Sequence, residues 1–589
     1  MLRATKQILK KHYKIYFLAQ FLFFIQVIAD ITTPLLLQQL INNLYSPQRS
    51  LNTIILIGVG MLAVNILSFF MGVTARIISA RLTIGFGKEM RLHFYQKITT
   101  FTYADLNVFP SSTLISRIGK NLNNMINWLT WANQVLLRAI FMFIGGILAT
   151  IVILYTNNTS NNFNPNLANQ DLRFVIILIV ILFIILNFSF IWLAVNKSRK
   201  LFFKTQTHSE RLNRNIQETF LGIRFIKSYN LENLMFENNA RTTEELRKGY
   251  VKTYQYENLF GPVINLIMAS LTLTVIWTGV HFHLLDLAQI IAITQTLAYL
   301  VLSIILATWI LSNLGRANVS AKRVYDVLDF KTSMHFLADS QAQKPANTII
   351  KFKDVNFAYF KEAENSLSNI NLEIPANQIL GIIGRTGSGK STLVNLIPRL
   401  YDATSGVVEI GGVNVKNMNL QALRNLVTVV PQKNNLFSGT IAFNLNFAKE
   451  NLTTEEMWEA LELACAADFV KDRELQLEAR VEQRGSNFSG GQKQRLCIAR
   501  ALLKQAKILI FDDSTSALDA RTEKQLISNL KQLKGVTKII VSQKISSIIH
   551  ADQILVLDQG QIIDIGKHEE LIRRCDIYSR IYQSQTGGE

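Results

Sequence analysis

The stretch ILGIIGRTGSGKS, Ile379 to Ser391, decides how the second half of this chain must fold. Five residues of β character, Ile379–Ile383, run without a break into GRTGSGKS, which fits G-x-x-x-x-G-K-[ST]. A buried strand, a glycine-rich turn and a helix in that order place backbone N–H groups around an anion at a helix N-terminus. The cradle is therefore expected from Gly384, Arg385, Thr386, Gly387, Ser388, Gly389, Lys390, Ser391 and Thr392. Lys390 has the reach for the β- and γ-phosphates of a nucleotide, and the Ser391 hydroxyl suits Mg²⁺. A second stretch, KILIFDDSTSALD (Lys507–Asp519), drives four apolar residues into Asp512, and a second acid, Asp513, follows at once. An acid that ends a buried strand beside such a loop suits the metal side of the same phosphate.

Working outward, short β-like runs at Ile349–Phe352, Val427–Val430 and Ile539–Val541 alternate with helical patterns, which predicts an α/β domain with a largely parallel sheet. A polar stretch, SQAQKPANT at 340–348, precedes it. The expected organisation is a helical membrane domain at 1–315, a linker at 316–348 and an α/β nucleotide-binding domain at 349–589.

Hydrophobic residues make up 49% of the 589, high for a water-soluble chain. Phe174–Val195 is the clearest span, with only Asn187 and Ser189 polar. Ile15–Ile41, Ile54–Ser79, Val135–Tyr155, Leu259–Val280 and Ile290–Leu311 complete six. Segments 80–127, 197–257 and everything beyond 315 are rich in Lys and Arg, whereas 45–51, 156–172 and 281–289 hold only Arg49. The positive-inside rule then puts both termini and the α/β domain in the cytosol. Basic segments against an anionic leaflet account for much of the net charge of +19, so no nucleic acid is implied. Cys465, Cys497 and Cys575 lack metal-ligand spacing and read as reduced structural thiols. No cleavable signal is expected, because the first apolar stretch is too long and five more follow. Heavy use of Ile, Asn and Lys points to an AT-rich bacterium.

NFSGGQKQRL (Asn487–Leu496) lies about a hundred residues past the glycine loop and just before the paired acids. With these elements in place, the chain resembles the ATP-binding cassette family, and specifically its exporter branch, in which six helices precede one cassette. ETFLGIRFIKSYN (Glu218–Asn230), RANVSAKRVYDVLD (Arg316–Asp329) and FPSSTLISRIGKN (Phe109–Asn121) carry the resemblance into the first half, though Asn121 stands where Asp is frequent. The resemblance implies that Ser489, Gly490, Gly491 and Gln492 cap the γ-phosphate held by an opposite subunit. It implies that Tyr359 stacks on adenine, against the plainer reading of a core tyrosine. Gln432 would touch Mg²⁺ and face the membrane domain, and Asp519 would close the loop that crosses between cassettes. ATP, Mg²⁺, a lipid bilayer, a small-molecule substrate and a second half-transporter are the implied partners.

Two positions depart from the family pattern on the same γ-phosphate. Asp513 stands where a Glu polarises the attacking water, and it is one methylene shorter; a misplacement of ~1 Å costs on the order of 100-fold. Gln543, in IIVSQKISSI, replaces the switch histidine and cannot carry its positive charge. Gln483 and Phe488 are lesser departures, where Glu and Leu are usual. This pattern resembles the degenerate half of a heterodimeric bacterial multidrug exporter, in which hydrolysis runs mainly at the partner's site. Hydrophobic or cationic compounds crossing the plasma membrane are the implied cargo. A lipid flippase, a peptide exporter and an ATP-gated regulator or channel stay open. Asp30, the only acid in the first span, either faces a substrate cavity or pairs with an Arg or polar neighbour.

Overall fold

The computed structural model describes residues 1–46, 50–155, 167–282, 284–334, 342–360, 363–449 and 451–586. Residues 47–49 of the outer loop expected at 45–51 and residues 156–166 of the one at 156–172 lie outside the described residues, as does the start of the polar stretch 340–348. The chain divides into two compact units: Met1–Thr99 with Pro110–Phe330, and Thr100–Phe109 with Lys331–Glu589.

Among the described residues of the first unit, six helices are long and apolar enough to cross a membrane: Lys10–Tyr45, Leu51–Thr99, Ser111–Tyr155, Phe174–Leu221, Glu232–His281 and Leu287–Leu328. A helix satisfies its own backbone, which hydrocarbon requires. Large apolar side chains such as Leu56, Leu62 and Phe69 are exposed along the second, as a face that meets lipid tails rather than water must be. Every expected span falls inside one of these helices, and the helices run well past the apolar segments. The last continues through most of the Arg316–Asp329 joint as far as Leu328. The fifth is interrupted at Leu259, between Glu232–Asn258 and Phe260–His281, three residues before Pro262, which lacks an N–H for the helical ladder. Close approach depends on small residues: a Cβ on Gly146 would stand 2.9 Å from Leu300 Cδ2. One turn on, the Thr150 and Thr296 hydroxyls meet at 3.1 Å.

Among its described residues the second unit holds twelve strands: β1 (Ile350–Phe357), β2 (Leu367–Ile374), β3 (Ile379–Ile383), β4 (Ser405–Ile410), β5 (Val413–Asn414), β6 (Val427–Val430), β7 (Gly439–Thr440), β8 (Arg480–Val481), β9 (Ile508–Asp512), β10 (Thr537–Val541), β11 (Gln553–Asp558) and β12 (Gln561–Gly566). Its main sheet runs β12-β11-β3-β10-β9-β6. β11, β3, β10, β9 and β6 are parallel, and β12 alone turns back on the edge. Parallel strands covered on both faces should be apolar throughout, and all five residues of β9 and of β10 are buried. A second, antiparallel sheet, β2-β1-β4-β5, was not expected from the sequence beyond its first strand. Its residues pack with one face of the main sheet in a single core containing Ile350, Leu372, Val408, Leu393, Ile510 and Ile539. The piece Thr100–Phe109 contributes the helix Tyr103–Val108, capped reciprocally by Thr102 and Asp105, and the Tyr103 ring meets Tyr401 at 6.0 Å.

Ile510 is wholly buried in β9 between β10 and β6. Ile510→Ala should cost about 2–5 kcal/mol through lost burial and an unfilled cavity. The check is earlier thermal unfolding and faster proteolysis of the second unit, with the helical unit's transition unchanged.

Candidate functional site

Strand direction assembles the site. β3, β6, β9 and β10 all end at the same edge of the sheet, so the residues just beyond each strand converge there. β3 delivers Gly384–Ser391, β6 delivers Gln432, β9 delivers Asp512 and Asp513, and β10 delivers Gln543. Register aligns them: Val541 pairs with Asp512, and the Asp513 N–H continues the ladder to the Val541 carbonyl at 3.0 Å. Residues from these four strand ends, with Tyr359, line one cavity of about 780 Å³.

The loop after β3 can close only with glycine at its start. A Cβ on Gly384 would lie 2.0 Å from the Leu557 carbonyl oxygen of β11. Gly389, with φ +96°, caps the following helix Lys390–Leu396 in a left-handed conformation. Lys390 Nζ donates to the Gly384 and Arg385 carbonyls, 2.8 Å each, and so curls over its own loop. Burial lowers its pKa, while Asp513 and Asp512 pull it upward. These carbonyls are weak competitors for an ammonium that has an anion to reach.

Ser391 Oγ donates to Asp512 Oδ1 at 2.8 Å. Burial pushes the Asp512 carboxyl up, the Ser391 hydrogen bond pulls it down, and the charge of Asp513 raises it further. An acid held at such a cost fits a site that receives a cation. Asp513 has φ +48°, and its Oδ2 lies 3.4 Å from Gln432 Nε2. Tyr359 donates or accepts at Thr392 Oγ1, 2.9 Å away, and stands edge-on to Phe357 and Tyr401. More than a third of it is exposed at the cavity wall, so it is no core tyrosine. Thr386, Gly387 and Ser388 also line the cavity, whereas Arg385 contributes backbone only, its carbonyl accepting from Lys390 and from the Ser388 N–H.

Ser489–Gln492 lie outside this cavity, at the start of the helix Gly490–Leu503. Ser489 and Gln492 form a capping box, the Gln492 N–H donating to Ser489 Oγ at 3.3 Å and the Ser489 N–H to Gln492 Oε1 at 3.0 Å. Gly490 approaches Ala517 Cβ at 3.6 Å, measured from an added Cβ, and Gly491 approaches the Ala517 carbonyl. Phe488 is buried below, with Arg473 stacked on it at 4.0 Å, and so keeps the apolar role of the residue it replaces. Asp519 caps the helix Ala520–Gln532 through the Thr522 N–H at 3.0 Å, and that bond holds its carboxyl below the usual range.

Some functional geometry escaped the sequence reading. Gln559 and Gly560, both at positive φ, turn β11 into β12 and line the cavity, and the Gly560 N–H donates to the Ser388 carbonyl at 3.1 Å. The pattern ILVLD-QG-QIIDI signals that hairpin, but not its contact. Buried Gln494 accepts from the Ala517 N–H at 3.1 Å and so ties the Gly490–Leu503 helix to the SALD loop, a link without a local signal.

In the helical unit, Asp30 accepts from Ser68 Oγ and lies 3.5 Å from Arg138 Nη2. Two cavities of about 370 and 440 Å³ open elsewhere in that unit, lined by Trp128, Trp131, Tyr254 and Trp309 in one and Lys120, Arg214 and Arg323 in the other. Asp30 lines neither.

A six-helix membrane unit followed by a parallel sheet with a phosphate cradle defines a membrane-bound nucleotide-driven machine. Family models agree: the ABC transporter transmembrane region matches residues 16–157 and 169–309, and the ABC transporter model matches 367–516. An uncharacterized ABC transporter ATP-binding protein of Bacillus subtilis, YfiB, is 30% identical over 97% of this chain and 96% of its own length. An uncharacterized ABC transporter ATP-binding protein of Mycobacterium tuberculosis is 31% identical over 91% and 90%. The ATP-dependent lipid A-core flippase of Desulfotalea psychrophila is 30% identical over 87% and 86%. The structure of a bacterial Atm1-family ABC exporter with ATP bound superposes with a TM-score of 0.82, at 21% identity, over 98% of this chain and 99% of that one. The chain belongs to the ABC transporter family and has the exporter fold. It is a multi-pass membrane protein that binds ATP and couples its hydrolysis to transport.

Lys390→Ala should weaken nucleotide binding at this chain's own cavity by about 10- to 100-fold, the weight of a charge-assisted hydrogen bond. Photolabelling with azido-ATP reads it directly, and undiminished label on this chain would contradict the assignment.

Proposed function

We propose that this chain is the impaired half of a heterodimeric exporter that uses ATP to move hydrophobic or cationic compounds outward across a bacterial plasma membrane. One observation carries the reading: an intact cradle, with Lys390, Ser391 and Asp512 in place, stands beside a short acid and a neutral switch. The Asp513 backbone is pinned to Val541, and its carboxylate is turned toward Gln432. With the backbone held, the missing methylene cannot be recovered by moving the chain. Gln543 accepts and donates hydrogen bonds but adds no charge at the γ-phosphate.

Ser391 and Asp512, with Gln432 nearby, would hold Mg²⁺, whose charge offsets that of the phosphates. Ser489–Gln492 form a helix N-terminus suited to capping ATP bound to a partner, and Asp519 lies on the loop that would cross to it. Lys and Arg in the inner loops favour cytosolic termini. The flippase relative favours a second reading, lipid as the cargo.

A homodimer would repeat the weak site twice. In a heterodimer, Asp513→Ala should leave most of the ATPase activity, whereas Ser489→Ala or Gly490→Ala should remove most of it. If the chain purified alone turns over at ordinary rates of ~1 per second or more and Asp513→Ala stops it, the reading is wrong.

Asp30 belongs to the proposed cargo path, with Arg138 as its resting partner. Asp30→Asn should then lower transport of cationic compounds several-fold more than that of neutral ones, measured in inverted vesicles. Equal loss of both, or loss of assembled protein, would make the pair purely structural.

A further inference from the structure

We infer that Gln585, near the end of the chain, is a positioning residue that clamps the backbone around Gln543 and thereby sets how firmly this chain's own site retains nucleotide. The inference rests on the reading of Gln543 as the γ-phosphate switch.

The helix Asp576–Thr586 carries Ile577, Tyr578, Ile581 and Tyr582 toward the core of the second unit. Tyr578 is wholly buried, and its hydroxyl meets His568 Nδ1 at 2.7 Å, which fixes the helix in place. Gln585 comes two turns after Tyr578 and so lies on the same face. Its Nε2 donates to the Gln543 carbonyl at 2.7 Å, and its Oε1 accepts from the Ile545 N–H at 2.8 Å. One carboxamide thus satisfies a carbonyl and an N–H two residues apart, as a neighbouring strand would. The loop needs this, because β10 has ended at Val541 and Gln543 has left the sheet ladder.

The rest of the loop is held from below. The Lys544 N–H donates to Ser542 Oγ at 3.0 Å, and Ser542 Oγ donates to Ser547 Oγ at 3.1 Å. Ser547 in turn donates to the buried carboxylate of Glu523, on the helix capped by Asp519, and Lys544 Nζ lies 3.7 Å from the same acid. While its carbonyl is tied to Gln585, Gln543 itself lines the nucleotide cavity. A glutamine side chain has more torsional freedom than a histidine, so its aim depends more on a fixed backbone.

The test uses the full chain with its native partner in membrane vesicles, and follows azido-ATP label retained on this chain after a chase with ATP. Gln585→Ala should shorten retention about three- to ten-fold, the weight of one to two neutral hydrogen bonds, with initial label at saturating azido-ATP unchanged and the chain still folded and assembled. Gln585→Glu keeps the acceptor for Ile545 but faces the Gln543 carbonyl with a second acceptor, and should be at least as severe. Gln543→Ala should shorten retention too, and the double variant should be no worse than Gln543→Ala. If Gln543→Ala shortens retention and the Gln585 variants do not, the clamp is refuted while the switch reading stands. If neither position matters, the switch reading fails and the clamp with it. An effect of Gln585 without one of Gln543, or additive effects of the two, would also refute it.

Discussion

Parallel pairing of β10 between β3 and β9 is the constraint on which the nucleotide end of the molecule depends. It fixes the height at which each strand stops, and therefore which residues leave the sheet together. Val541 opposite Asp512 brings Gln543 and Asp513 to one level, with the Lys390 loop beside them. A shift of one residue in that register would move Asp512 and Asp513 relative to Val541 and Gln543 and so take the site apart. The chemistry of the site is thus set by sheet packing, which fixes where the loops that carry the functional side chains begin.

The same constraint holds the backbone at both departures, Asp513 and Gln543. Asp513 is tied to β10 by its own N–H, and Gln543 follows two residues past the strand that holds it. Neither backbone is free to advance toward a phosphate and make up for a shorter or uncharged side chain. Lys390, Ser391 and Asp512, by contrast, sit where burial and hydrogen bonding already favour a polyanion with a cation. Under the proposed reading, binding groups and turnover groups diverge within one cavity.

In the helical unit the governing rule is satisfaction of polar groups away from water. Asp30 has Ser68 and Arg138; Thr150 has Thr296; Gly146 lets Leu300 approach. An acid paired with an arginine costs far less than either group alone.

By itself, the sequence determined much of this protein. Local order was enough for the cradle, since strand, glycine turn and helix are contiguous between Ile379 and Leu396. Unbroken apolar runs were enough for six spans, because hydrocarbon admits little else. The α/β class and the strands β3, β6, β9 and β10 followed from short apolar runs between helical patterns. The antiparallel sheet was missed beyond β1, because its half-buried strands mix polar and apolar residues too evenly to stand out. What only the tertiary structure decided are contacts between residues far apart in sequence, where no periodicity reports on proximity. Gly560 bracing Ser388, Gln494 holding Ala517, Arg138 beside Asp30 and Gln585 clamping Gln543 all arise when the chain returns on itself. Each is a side chain or turn satisfying a backbone group or charge that the local segment leaves open, and only the folded chain determines which distant partner does so.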